Sequence, residues 1–146
     1  MGVGICTVFQ AQNNGQWEEI DFDFDDDTDG TRLLFAWLCG VRNRDHIEPI
    51  GELRGWPDNF IDGGPVGYDT HRGKWMGDSH SGWFLGSEIL EAANHLRPKT
   101  TPYTCVADSP PTPPGEYREK LAFFIDEVQK RVDEHGEIRI VFGFHI

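Results

Sequence analysis

The chain has 146 residues and is 38% hydrophobic, the size of one ordinary domain and enough to bury a core. Asp and Glu outnumber Lys and Arg by 25 to 13, and the formal charge of −12 repels nucleic-acid phosphates, which excludes direct DNA or RNA binding. Cys6, Cys39 and Cys105 are odd in number with no CxxC pair, so neither a disulfide framework nor a zinc site is indicated.

Residues 3–11, rich in Val, Ile, Thr and Phe, predict a strand, and Asn13-Asn14-Gly15 predicts a turn into a second strand starting near Trp17. In that second strand Ile20, Phe22 and Phe24 alternate with Asp21, Asp23 and Asp25, so one face is expected in the core and the other carries a row of carboxylates. A short helix is expected over 33–39, with Thr31 as its N-cap and Gly40 as its stop. Residues 40–82 are loop-like, yet four tryptophans fall between Trp37 and Trp83, a composition that argues for an ordered loop and against disorder. Ser87 is expected to cap a helix that runs to about Leu96 and ends before Pro98. Residues 98–114 hold six of the nine prolines and read as an extended internal connector. Leu121, Phe124, Ile125, Val128 and Val132 then form one apolar stripe of a long helix, which Gly136 ends. Residues 138–146 predict a final, largely buried strand, and the chain has no internal repeat.

This order predicts a single α+β domain over 1–146. The N-terminal hairpin and the C-terminal strand are expected in one antiparallel or mixed sheet, packed against two or three helices, with a long ordered central loop. No apolar run reaches the roughly 18 residues that a membrane span needs, and no signal-peptide pattern opens the chain. A soluble cytoplasmic protein with no membrane contact is expected.

Several clusters carry chemistry. Residues 18–29 contain eight acidic side chains in twelve, a concentrated negative surface able to imitate phosphates in the basic groove of a partner, or simply to solubilise an exposed edge strand. Asp25-Asp26-Asp27-Thr28-Asp29-Gly30 matches the first half of a calcium loop, but the twelfth position, where a bidentate Glu is needed, is Ala36. Asp69-Thr70-His71 and Asp78-Ser79-His80 are two Asp-x-His pairs, able to bind a divalent metal, to act as acid and base, or to build tight turns. Arg42, Arg54 and Arg72 suit carboxylate or phosphate, and Trp56, Trp75 and Trp83 can stack a ring or pack the loop. No nucleophile elbow or Gly-rich phosphate loop is present.

The chain also carries, in order, Met1-Gly2-Val3-Gly4-Ile5-Cys6, Leu34-Phe35-Ala36-Trp37-Leu38-Cys39-Gly40-Val41-Arg42-Asn43, Pro49-Ile50, Arg54-Gly55-Trp56-Pro57-Asp58, Asp78-Ser79-His80-Ser81 and Val141-Phe142-Gly143-Phe144-His145. These blocks resemble a family of small, largely uncharacterised proteins encoded by bacteriophages. Its members start with Met-Gly-x-Asp-Ile-His, where this chain has Gly4 and Cys6 in place of the Asp and His. That departure removes any metal or acid-base role of those two residues and shifts the expectation from catalysis to binding. The resemblance implies a phage accessory protein, a stoichiometric inhibitor of host defence or host metabolism.

The leading expectation is therefore a non-enzymatic, anti-CRISPR-like anti-defence protein without a cofactor, acting in the host cytoplasm. It would bind a host protein, such as a nucleic-acid-handling defence complex, through Asp21, Asp23, Asp25, Asp26, Asp27 and Asp29. A first alternative is a small-molecule binder that sequesters an anionic nucleotide-like signal through Arg42, Asn43, Arg54, Trp75, Asp78, His80, Ser81 and Trp83. A second is a metal-dependent phosphoesterase built on Asp69, His71, Asp78 and His80. For those four the expected arrangement is separation, with His80 anchoring the 78–81 turn and His71 near solvent.

Overall fold

A computed structural model of the chain describes residues 4–23, 30–99 and 111–145. The fold is α+β, a four-stranded antiparallel sheet packed against three helices. Strands β1 (Gly4–Asn13) and β2 (Gln16–Ile20) form the predicted hairpin. Asn14 and Gly15 turn it with φ of 54° and 81°, the positive values that a two-residue turn between right-twisted strands requires. The last strand, β6 (Ile138–His145), lies against β1 in unbroken register from Gly4 opposite His145 to Ala11 opposite Ile138. The two ends of the described chain thus form the centre of the sheet, whose order is β2-β1-β6 followed by an edge strand over Ser79–Leu85.

Helix α1 (Thr31–Cys39) begins after Gly30, with no side-chain cap, so the expected cap at Thr31 is corrected: Thr31 is the first helical residue. Gly40 stops it as predicted, in the left-handed region at φ 69° with its N–H on the Ala36 carbonyl. The central segment departs from a plain loop. It contains a small ribbon of β3 (Tyr68–Asp69) and β4 (Lys74–Trp75), and its last residues enter β5 (Ser79–Leu85), an edge strand of the main sheet. β5 runs straight into α2 (Gly86–Ala93), so Ser87 sits inside the first turn and is not its cap. Glu88 supplies the capping carboxylate by accepting the Leu85 N–H at 3.0 Å, while the Ser87 hydroxyl donates to Glu137. α2 also ends at Ala93, short of Leu96. A 3-10 turn over Pro114–Glu116 leads into α3 (Tyr117–His135), whose predicted stripe places Leu121, Phe124, Ile125 and Val128 in the core. Residues 100–110 of the Pro-rich connector lie outside the described residues.

The period-two alternation of the central strands divides the molecule into layers. Phe9, Ala11, Ile138, Ile140, Phe142 and Phe144 face the helices and build the larger core with Leu33, Trp37, Ile89, Tyr117 and Leu121. Val8 and Val141 face the other way, and the central segment covers them with Phe60 and Met76. Close approach there requires Gly143, because a Cβ would lie 2.0 Å from the Met76 carbonyl oxygen. The Asp78 N–H donates to the Phe144 carbonyl, and the Gly55 N–H donates to the Ser81 carbonyl beside β5, so backbone bonds hold this layer down at both ends.

Asp45 is the buried polar joint of the helical side. Its carboxylate accepts two bonds from Arg32, at 3.0 and 3.2 Å, and two from Thr112, while the Tyr117 hydroxyl donates to its carbonyl. Burial pushes its pKa up, but the Arg32 fork and the Thr112 donors outweigh that and hold it below the usual carboxylate value. Among the described residues no helix is long and apolar enough to cross a membrane.

Candidate functional site

The acidic run starts on β2, which is one open edge of the sheet. Pairing with β1 turns Ile20 toward the helices with Phe9, whereas Glu19 shares the opposite face with Gln10. The strand ends at Ile20, earlier than the alternation suggests, although Phe22 still stacks on Phe9 with centroids 5.0 Å apart. Its continuation is broken because the Asp23 N–H turns to the Glu127 carboxylate of α3 at 2.6 Å. Glu127 is only 5% exposed and is charge-balanced by Arg131 at 2.8 Å. On the far side of the run, Gly30 is buried against the same helix, where a Cβ would lie 1.8 Å from the Lys120 carbonyl oxygen. Asp21 and Asp23 are exposed, and neither carboxylate forms an ion pair with the described residues. Asp25, Asp26, Asp27 and Asp29 lie outside the described residues, as does the calcium-loop pattern built on them. Ala36, at its twelfth position, is fully buried in α1.

The eight residues of the small-molecule alternative do not line one cavity. Asn43 is buried with both ends of its amide closed on the backbone of Ile47, Nδ2 to the carbonyl at 2.6 Å and Oδ1 from the N–H at 3.0 Å, so its amide is engaged in holding that loop. Arg54 and Trp83 do meet, the guanidinium lying 4.6 Å from the ring centroid. Arg54 is also bonded through both Nη atoms to Glu88, whose pKa its hydrogen bonds hold below the usual value. A cleft of about 660 Å³ beside Arg54 is lined by Leu53, Phe84, Glu88 and Glu91, and by none of the other seven residues. Trp75 is 39% exposed on β4, Arg42 and Asp78 are exposed, and the Ser81 carbonyl serves the central segment.

Asp69, His71 and His80 are likewise occupied separately. The Asp69 carboxylate accepts from the backbone N–H groups of His71 and Arg72, the turn-making role of a short acid. His71 lies near solvent, its side chain 84% exposed and its Nε2 3.0 Å from Asp62. His80 holds its Nδ1 3.1 Å from the Ser79 hydroxyl at the start of β5, with its ring edge-on to Phe144. Among the described residues no group of three or more His, Cys, Asp or Glu side chains could hold a metal ion.

One cluster escaped the reading of the sequence. On the face of the sheet away from the helices, Gln10 and Arg139 stand directly opposite each other on β1 and β6. The Gln10 Oε1 accepts from the Arg139 Nε at 2.9 Å and Nη2 at 2.6 Å. The guanidinium carbon lies 4.6 Å from the Trp17 ring centroid and 5.9 Å from that of Trp83. Burial lowers the Arg139 pKa. The available signal was the placement of Gln10 and Arg139 between apolar neighbours in their strands, since a polar residue in a central strand needs a partner. No protein-family model, curated protein or solved structure matches the chain.

Proposed function

We propose that this chain is a non-enzymatic binding protein that engages a basic surface of a protein partner through the carboxylates of residues 18–29. The observation that carries this reading is the fixing of the acidic run on both sides to α3, through the Asp23 N–H on buried Glu127 and through Gly30 against the Lys120 carbonyl. A run that only solubilises an edge strand has no use for a buried, charge-balanced Glu holding its backbone, because burying that carboxylate is costly unless it is paired. Asp21 and Asp23, presented beside an anchored backbone N–H, lose less freedom on binding. The field of the acidic run steers a basic partner, and the overall charge of −12 adds to that steering.

The bacteriophage family that the sequence resembles supplies the setting. In the host cytoplasm the protein would bind and inhibit a defence factor, and a nucleic-acid-handling complex offers the basic groove that such carboxylates fit. The test is affinity capture from host cells with the wild-type chain and with a variant carrying Asn at Asp21, Asp23, Asp25, Asp26, Asp27 and Asp29. Host proteins retained by the first and lost with the second support the reading, and identical captures oppose it. Sequestration of a nucleotide-like anion by Arg42, Arg54, Trp75, His80 and Trp83 has less support, because Arg54 is already paired with Glu88 and the set is dispersed.

A further inference from the structure

We propose that the cleft on the sheet face away from the helices is a binding site for a small, flat monocarboxylate, with Arg139 as its receptor. The cleft has a volume of about 730 Å³ and is lined by Gln10, Trp17, Asp58, Phe60, Arg72 and Arg139, among others. That volume is in the range of small-molecule sites.

The charge pattern at Arg139 points to an anion. Arg32, Arg54, Arg72 and Arg131 each have a carboxylate within ion-pair distance, whereas Arg42, Arg44, Arg97, Arg118 and Arg139 have none among the described residues, and of these five Arg139 is the one in the centre of the sheet. Arg139 has none among the described residues, although the chain carries 25 acids, and its hydrogen-bond partner is the neutral amide of Gln10. A half-buried guanidinium without a counter-charge carries a desolvation cost that an incoming carboxylate relieves. The donors for it are in place. Gln10 takes Nε and one bond from Nη2, and Nη1 makes no hydrogen bond among the described residues. Among the described residues no buried side-chain nitrogen or oxygen lacks a partner, so Nη1 is accessible to solvent, and Arg139 lines the cleft. The free edge of the fork suits the two oxygens of a carboxylate.

The rest of the lining sets shape and charge. Partly exposed Trp17 offers aromatic surface for a flat apolar body, while Phe60 belongs to the smaller core beneath it. Arg72 is engaged by Glu19 through two bonds of 2.8 Å and adds no free positive charge, while Asp58 lies in the lining with no cation partner among the described residues. With Glu19, Asp58 and Asp69 set against Arg72 and Arg139 in the lining, the positive charge is confined to the Arg139 fork and a second negative charge is repelled, which disfavours a phosphate dianion.

The test uses 2-naphthoate as the probe, 2-naphthamide as its neutral counterpart and 2-naphthyl phosphate as the dianion, each titrated into the intact protein and followed by NMR of the Trp indole and Arg guanidinium N–H signals. The expected result is a saturable shift of the Trp17 and Arg139 signals with naphthoate, and binding at least about tenfold weaker for the amide and for the phosphate. Arg139→Lys keeps a cation in the strand without the planar fork, and should weaken naphthoate by about tenfold while the remaining spectrum keeps its dispersion. Arg139→Gln should abolish the shift. No saturable shift with naphthoate, equal binding of the amide, tighter binding of the phosphate, or shifts that persist in both variants would each overturn the assignment.

Discussion

Asp45 concentrates four hydrogen bonds on one buried carboxylate, and its removal strands a guanidinium and a backbone N–H together. Asp45→Ala is expected to cost about 3 kcal/mol, the lower end for breaking a buried pair because Arg32 is partly exposed. Urea unfolding measures it. The folded-state pKa lies below the ordinary 3.8, so the stabilisation is fully present above that ordinary value and is lost as pH falls through the lowered one. In Asp45→Asn the stability should therefore fall less steeply in this acid range than in the wild type. Cys39 is a second residue with a defined expectation. Burial pushes its thiol up to about 12, so a thiol reagent should label it only on unfolding, and rapid labelling of Cys39 in the folded protein, read by mass spectrometry, would contradict its placement. At this scale the sequence revealed what depends on neighbours along the chain, such as the stop at Gly40. It concealed what depends on distant partners. Asn43 resembled a ligand donor because nothing local says that its amide closes on Ile47, and Arg139 was silent because its meaning comes from Gln10, 129 positions away.

The same distinction holds for whole elements. The hairpin, the long helix and the terminal strand were legible because periodicity, a turn signal or a stop glycine marks each one. β5 was not, since Ser79-His80-Ser81-Gly82 is polar and small, and a register irregularity between Ser79 and Gly82 breaks the alternation that would have revealed a strand. The central segment read as a functional loop, and in the structure much of its aromatic content covers the second face of the sheet, with Trp56 stacked on Phe60 at 5.8 Å. Phe60→Ala should cost about 3 kcal/mol by emptying that smaller core. Hydrogen exchange should then accelerate over residues 51–76 while β1, β6 and α3 stay protected. A uniform rise across the described chain would show that the layer does not open on its own.

For the molecule as a whole, composition alone announced the acidic character, but the fixing of the run to α3 required the fold. Glu127 reads as one more acid on a charged helix, and its selection by the Asp23 N–H follows only from how α3 lies beside the end of β2. Glu127→Ala leaves the acids of residues 18–29 intact and removes one of their anchors. It should weaken partner binding by about tenfold through the added ordering cost, with faster exchange at Asp23 as the accompanying sign. The most direct test of the acidic-surface reading is the affinity of a captured host partner for the wild-type chain and for the variant with Asn at Asp21, Asp23, Asp25, Asp26, Asp27 and Asp29, measured at low and at high salt. The expected result is binding at least about tenfold weaker for the variant at low salt, with a gap that narrows as salt rises. Equal affinity of the two chains at low salt would contradict it.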